Sequence, residues 1–493
     1  MELATLGVVL AGYAIAVIVV GILATRRAGE SPEEYFLAGR KLGPLVLFMA
    51  LFGTNATSFV LVGIPGKAYH DGIGIFGLNA AIVALCAPLT FFLIGVPARR
   101  MAMKVRAVTP AELYAKRFAA PLVGMVLFFF FLIYTLPYMV VAVKGAAVTL
   151  TDVTDGAIPY WLGSASVIAI ALVYTTLGGM RATAWTNVMQ GTIFVVFIVV
   201  ACALIARSLG DFETAMRGVE SATPELLVID HGKDLFEPRQ WASWGLLISL
   251  TVIAFPHMFV RIMAAESERA LKSVCKLYPI ATAVLWLPPV LIGIWGAVDF
   301  PGLLGKESDR IYAMMLTEHL PGVLAAVGFL AVLAAVMSTL DAQILTLGSM
   351  LTRDVLAPLR GESPGETDIR NARFFGMAIA VVVWILAMVW GQSVFQIASI
   401  AFSGYVTLTP ALYLGATWRR FNKQGMLASI LIGNAVLALG TLGWLPMLGF
   451  LPVFWAWLAA VAAALLVTRF TPPPNPALAF VAFGFQRKKK KTG

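Results

Sequence analysis

The sequence is short of charge. Asp, Glu, Lys and Arg supply 13% of its 493 residues, about half the share of a soluble globular chain. It also lacks any long polar segment. The longest, about 208–240, has room for a short helix or two but not for a separate water-soluble domain. Histidine is scarce, at 4 residues, and the 3 cysteines (Cys86, Cys202, Cys275) are scattered without pattern. Such spacing argues against a disulfide framework and against a Cys/His metal centre. No nucleophile–base pair and no metal-spaced cluster can be defended, so an enzyme is not expected. A pore loop and a ring of like charges are also missing, which disfavours an ion channel.

What is abundant is apolar surface. Hydrophobic residues make up 60% of the chain, in runs of roughly 20, the length that crosses a bilayer core of about 30 Å as a helix. The expected class is an all-α polytopic membrane protein. Thirteen spans are expected, near 3–24, 45–66, 74–96, 119–146, 157–177, 185–207, 241–263, 275–298, 320–350, 372–391, 394–416, 424–441 and 448–469. The first is read as a retained helix, because its start is not basic and Arg26 and Arg27 follow it. With the N-terminus outside, most of the 36 Lys and Arg fall in cytoplasmic segments, among them Arg40, Arg99, Arg100, Arg181, Arg261, Arg353 and Arg419. That is the bias cytoplasmic loops show. It accounts for the net charge of +10 without nucleic acid. The terminal QRKKKK run reads as a cytoplasmic tail near anionic lipid.

Three segments are too polar or too breakable for plain lipid-facing helices. The first, MALFGTNATSFVLVGIPG (49–66), gathers Gly53, Thr54, Asn55, Thr57 and Ser58. Backbone groups in lipid must be paired internally, so a break is tolerated only against protein or a cavity. Unwound carbonyls there would suit a hard cation such as sodium, and half-helix ends would offer dipoles to a solute. A plain helix–helix contact of small residues is the other reading. The second segment, LAAVMSTLDAQILTLGS, places Ser338 beside Thr339 with Ala335 a turn earlier. Together they form a partial oxygen cage, or simply back-bond to their own helix. Asp341, a carboxylate inside a span, marks either function or a watery vestibule. The third, IAFPHMFVRIMAAES, has Pro256 to break or kink the helix. His257 there is read as a structural hydrogen-bonding residue ahead of a proton relay. Arg261 is expected near the cytoplasmic end, snorkelling to the interface.

These motifs resemble those of the sodium:solute symporters, which include bacterial proline, pantothenate, acetate and monocarboxylate transporters and the sodium–glucose transporters. The likeness runs through ESPEEYFLAGRKLGP (30–44), GIPGKAYHDGIG, VTPAELYAKRF (108–118), GGMRATAWTNVMQ (178–190), FPHMFVRIMAA (255–265) and AAVMSTLDAQIL (334–345). The resemblance implies a five-plus-five inverted-repeat core of the leucine-transporter type. Its repeats would be 44–240 and 241–418, preceded by a helix and loop (1–43). Two extra helices (419–470) and a basic tail (471–493) would follow. It further implies alternating access around a midplane site and one sodium ion on the carbonyls of Gly53, Ala56 and Ala335 and the hydroxyls of Ser338 and Thr339.

The sequence departs from the family in two places. Proline transporters carry aspartate where Asn55 stands, although sugar-type members have asparagine. Members with a second sodium site carry aspartate where Asn187 stands. A single sodium site is therefore expected, with proton coupling, using Asp341 for charge, as the alternative. Candidate solute-lining residues are Asn55, Thr57, Ser58, Tyr134, Tyr138 and Trp244. Lys144 either draws a carboxylate into the vestibule or marks the interface. The resemblance points to sodium-coupled symport of a small organic solute, first a carboxylate, next a hydrophobic amino acid such as proline. A transporter-like sensor is the rival class and would need an appended soluble domain, whereas this chain ends soon after its last helix. The expected partners are that solute and a bacterial inner membrane, with the protein working as a monomer.

Overall fold

The computed structural model describes residues 3–25, 31–229, 234–361 and 367–474. Arg26, Arg27 and most of the basic tail lie outside them. Apart from one isolated bridge between Leu42 and Ala265, the described residues form helices and connecting turns. Among the described residues, ten helices are long and apolar enough to cross a membrane, and two bent pairs could each add a further span. The expected span at 157–177 falls only in part on residues whose side chains are described, as the apolar helix Tyr160–Leu172, so the count of thirteen is not established.

In chain order the main helices are α1 (Leu3–Thr25), α2 (Pro44–Asn55) and α3 (Phe59–Asp71), then α4 (Gly74–Val105), α5 (Pro110–Phe118) and α6 (Pro121–Val153). α7 (Tyr160–Leu172) and α8 (Gly179–Ser208) follow, then α9 (Phe212–Ala222), α10 (Pro238–Ala254), α11 (Pro256–Met263) and α12 (Glu268–Asp299). The last are α13 (Ile311–His319), α14 (Gly322–Arg360), α15 (Thr367–Val389), α16 (Val394–Thr417), α17 (Lys423–Thr441) and α18 (Pro452–Phe470). α14 is the central rod. Its most apolar window is 83% buried, against 17% for α1 at the edge of the bundle. α14 packs along α8, α6 and α1, and α2 packs along α8.

Both bent pairs turn by 49°. In the first, α2 ends at Asn55, Ala56 is extended (φ −87°, ψ 102°), and a wide five-residue turn begins at Phe59. The helix therefore opens after Asn55 and not at Gly53, which stays helical and lets α8 approach, with Gly191 against it. The second pair breaks at Phe255 (φ −63°, ψ 122°), because Pro256 cannot follow a helical residue comfortably.

The motifs at 30–44, 108–118 and 178–190 meet at one end of the bundle. Ala38, Gly39 and Arg40 are all left-handed (φ 50°, 62° and 58°), which folds the 31–43 loop back beneath the helices. Arg40, buried, donates to the carbonyls of Ala107 (2.6 Å) and Met263 (3.3 Å) and pairs with Glu33 at 2.7 Å. Gly179 (φ 58°) turns the chain into α8, and a Cβ there would lie 2.8 Å from the carbonyl oxygen of Tyr35. Beside it Arg181 pairs with Glu34. Thr109 caps α5, accepting from the Glu112 amide at 2.9 Å, and its hydroxyl donates to Asp354 at 2.7 Å. Glu112 is nearly buried, which opposes its charge, yet Arg353 and Lys116 hold its carboxylate below the ordinary range.

This arrangement corrects the expected end of the ninth span at 350. α14 runs on to Arg360 through a wide turn at 351–356, because Arg353 and Asp354 find buried partners on α5. The third span likewise continues past 96, so Arg99, Arg100 and Lys104 sit on α4 and not in a loop. Arg99 uses that position to donate to the carbonyls of Ala265 and Glu266.

Candidate ion and solute site

The first break sits against the middle of α14, and two hydroxyls join them. Ser338 Oγ donates within 2.9 Å of the Gly53 carbonyl and 2.8 Å of the Ala335 carbonyl. Thr339 Oγ1 lies 3.0 Å from the Thr54 carbonyl and 3.2 Å from that of Ala335. Gly53, Thr54, Ala335, Ser338 and Thr339 are therefore gathered, and both hydroxyls are fully buried. Ala56 is buried in the extended stretch next to them. Thr54, which sequence reasoning had not proposed, is the carbonyl that meets Thr339. The donors are all neutral oxygens, the chemistry a hard monovalent cation takes.

Behind the cage is a buried arginine. Arg261 is fully buried, contrary to the expected snorkelling at a helix end, and it donates to the Thr54 hydroxyl. The reason is polar company inside the bundle. Asn187, with its amide oxygen turned to the guanidinium as the surrounding donors require, accepts from Arg261 Nη2 at 2.6 Å. The Asn187 nitrogen donates to Gln190 Oε1 at 3.1 Å, and Gln190 donates to the Tyr13 hydroxyl at 2.7 Å. Asp341 is fully buried on α14, within electrostatic range of Tyr13. Asn187 and Asp341 thus belong to one polar region behind the cage.

Between the two breaks is a small cavity of about 20 Å³, lined by Asn55, Phe59, Val83, Tyr138, Ile248, Thr251, Val252, Phe255, Trp286 and Phe402. It has room for about one water. An organic solute fits only when the rings part. A second cavity, of about 1140 Å³, opens at the opposite end from Arg40. Gly66, Lys67, Tyr134, Trp244, Phe395, Ser399, Ser403 and Asn434 line it, among others. Aromatic rings divide the two cavities. Phe395 stacks on Trp244 (5.0 Å between centroids) and on Phe59 (5.5 Å), and Phe59 meets Phe402 edge-on at 5.1 Å.

The structure sorts the solute candidates. Asn55 and Tyr138 line the inner cavity, while Tyr134 and Trp244 line the outer one. Tyr134 bonds to Asn434, and Trp244 donates to Asn79 at 3.2 Å. Ser58 is spent on the Val141 carbonyl at 2.7 Å, and Thr57 is buried beside it. His257 makes no hydrogen bond from either ring nitrogen, unlike the structural role expected of it. Its ring stacks on Phe255 (5.2 Å) and Tyr138 (6.3 Å) instead. Lys144 does not face the vestibule as a free charge. It donates to the carbonyls of Trp390 and Gln392 past the end of α15. The charged groups at the outer cavity are Lys67, 2.5 Å from Asp71, and Asp309. Phe59, Phe255, Trp286 and Phe402 carried no sequence signal, being single aromatics in an apolar background.

The sodium:solute symporter family model matches residues 35–433. The chain belongs to the sodium:solute symporter family. It is 28% identical over 469 residues to the sodium/pantothenate symporter of Escherichia coli K12, covering 94% of this chain and 95% of that one. It is 25% identical to the osmoregulated proline transporter OpuE of Bacillus subtilis, covering 97% of each. Among solved structures, a sodium-coupled sialic acid symporter in a substrate-bound outward-open state matches 96% of this chain and 99% of its own. Its TM-score is 0.79 at 17% identity. MhsT in complex with L-phenylalanine matches 89% and 99%, with a TM-score of 0.56 at 13% identity. Both matches show the fold. Family membership makes this chain a multi-pass membrane transporter that couples a small solute to sodium, in a family of transporters and not of enzymes.

Proposed function

We propose that this symporter moves one sodium ion with one small organic carboxylate by alternating access to the inner cavity from the two sides of the membrane. One observation carries the ion site. The Ser338 and Thr339 hydroxyls converge on carbonyls that the first break leaves beside α14. Sodium would be held by the carbonyls of Gly53, Ala56 and Ala335 and by those two hydroxyls, with the Thr54 carbonyl close by. The solute would lie in the inner cavity against Asn55, Thr251 and Tyr138, under the lid of Phe59 and Phe402. Asn187 carries no charge to balance a second cation, which supports a single ion.

The two 49° breaks, one at the head of each half, support the inverted repeats 44–240 and 241–418. Basic side chains crowd the Arg40 end, which supports placing it in the cytoplasm of a bacterial inner membrane and the N-terminus outside. The 1140 Å³ cavity then faces outward. The proposed site draws all its residues from one chain, which supports a working monomer. Likeness to a pantothenate transporter supports the carboxylate. A hydrophobic amino acid such as proline is the second reading, favoured by the aromatic lining of the inner cavity and by the likeness to a proline transporter.

Uptake into proteoliposomes separates these readings. Pantothenate, short monocarboxylates and L-proline are each offered under a sodium gradient, a proton gradient or neither. Sodium-driven uptake of a carboxylate, with a Hill coefficient for sodium near one, is expected. Proton-driven uptake, or a coefficient near two, contradicts the proposal.

A further inference from the structure

The ion would bind between the first break and α14, whereas the solute would lie between both breaks, so some link must make the second break respond when the ion site is filled. We infer that α11, held at one end by Arg261, is that link; the inference rests on the ion site proposed above.

α11 is a single stiff unit of 8 residues, Pro256–Met263, packed on all sides. Its two ends touch different sites. At one end the Arg261 guanidinium holds the Thr54 hydroxyl and Asn187. Thr54 is the residue whose carbonyl meets the cage hydroxyl of Thr339 at 3.0 Å. One turn back, on the same face, the His257 ring lies against Tyr138 and Phe255, and both of these line the inner cavity. A displacement of the Thr54 backbone on cation binding therefore reaches the cavity wall through one side chain and one turn of helix.

Only arginine suits this task. Its planar fork holds two acceptors on different helices at a fixed angle, whereas lysine offers one point charge on a flexible stem. Two of its acceptors are neutral, a hydroxyl on α2 and an amide on α8. The guanidinium therefore ties three helices at the level of the cage while leaving the cage oxygens to sodium. Arg261 is a positioning residue, acting through the Thr54 hydroxyl and Asn187.

Hydrogen–deuterium exchange on the purified, detergent-solubilised protein tests the link without a known solute. Exchange is compared in sodium chloride and potassium chloride. In the wild type, sodium slows exchange at both breaks, residues 52–62 and 250–262, by at least about fivefold, the lower end of ordinary coupling between sites. Arg261→Gln should keep the slowing at 52–62 and lose it at 250–262. Arg261→Lys should recover part of it. Thr54→Val removes the acceptor hydroxyl and leaves the arginine in place, so it should behave as Arg261→Gln does, including where that variant does not fold. Slowing at 250–262 that survives in Thr54→Val or Arg261→Gln overturns the inference alone. A wild type in which sodium slows neither break overturns the ion site and the link together.

Discussion

The two broken helices bend by the same 49° and do it with opposite chemistry. The first opens in a polar run, Thr54-Asn55-Ala56-Thr57-Ser58, and leaves backbone carbonyls facing two hydroxyls of α14. The second opens at a proline between aromatic rings, and what it presents is Phe255 and the stacked faces of His257 and Tyr138. Equal geometry with unequal donors teaches that the break itself is scaffold. The side chains around each break differ: oxygens gather beside α14 at the first, and ring faces line the second.

The largest expected effect on solute binding sharpens that division. Tyr138→Ala removes a ring that touches Phe255, His257 and Phe402. Losing the ring face that a solute in the inner cavity would cover costs on the order of 1.5–3 kcal/mol, so solute affinity should fall roughly 10- to 100-fold. The sodium concentration for half-maximal uptake should stay within about twofold. An equal loss for ion and solute would merge the two sites into one.

A second test concerns what surrounds both breaks. Arg353 and Glu112 form a nearly buried pair at the Arg40 end. Removing one partner of such a pair typically costs about 3–5 kcal/mol. Arg353→Ala should lower the thermal midpoint sharply in sodium and potassium alike, because the pair serves the seal and not the ion. A loss seen only in sodium would move this pair into the coupling machinery.

Asp341 should act on the ion side alone. If its carboxylate supplies charge behind the cage, Asp341→Asn flattens the voltage or pH dependence of uptake and leaves the preference among solutes unchanged. A silent variant removes Asp341 from the account.

The smallest effect belongs to Asp309, which faces the outer cavity and accepts from the Val394 amide at 2.9 Å. Burial pushes its carboxyl up to about 6, against the pull of that amide and of Lys144. A group raised this way favours the packed state most below its ordinary value near 4, and that contribution fades as pH rises through about 6. The wild type should therefore lose thermal stability between pH 4 and 7 relative to Asp309→Asn, by on the order of 1–3 kcal/mol. Parallel curves for the two proteins would refute it.

Much of this was legible in the sequence because lipid punishes polarity. Ser338, Thr339 and the run through Ser58 stood out against a 60% hydrophobic background, and Pro256 announced its break without any partner being known. Arg261 was misread for the same reason. A charge at the end of an apolar run reads as an interfacial residue unless Thr54 and Asn187, far away in the chain, are known to face it. The walls of the inner cavity were illegible for the converse reason, since Phe59, Phe255, Trp286 and Phe402 look like any other core ring. Arg353 looked like a loop residue because its partner, Glu112, sits on another helix.

The central claim is that sodium binds between the first break and α14. Its most direct test is the thermal midpoint of the purified protein titrated with sodium chloride against potassium chloride, for the wild type and for Ser338→Ala with Thr339→Ala. A ligand that binds the folded state raises its stability with concentration. The account predicts a saturable, sodium-selective rise in the wild type and none in the double variant, whose midpoint in potassium stays close to the wild type's. A sodium-selective rise of equal size in the double variant would contradict it.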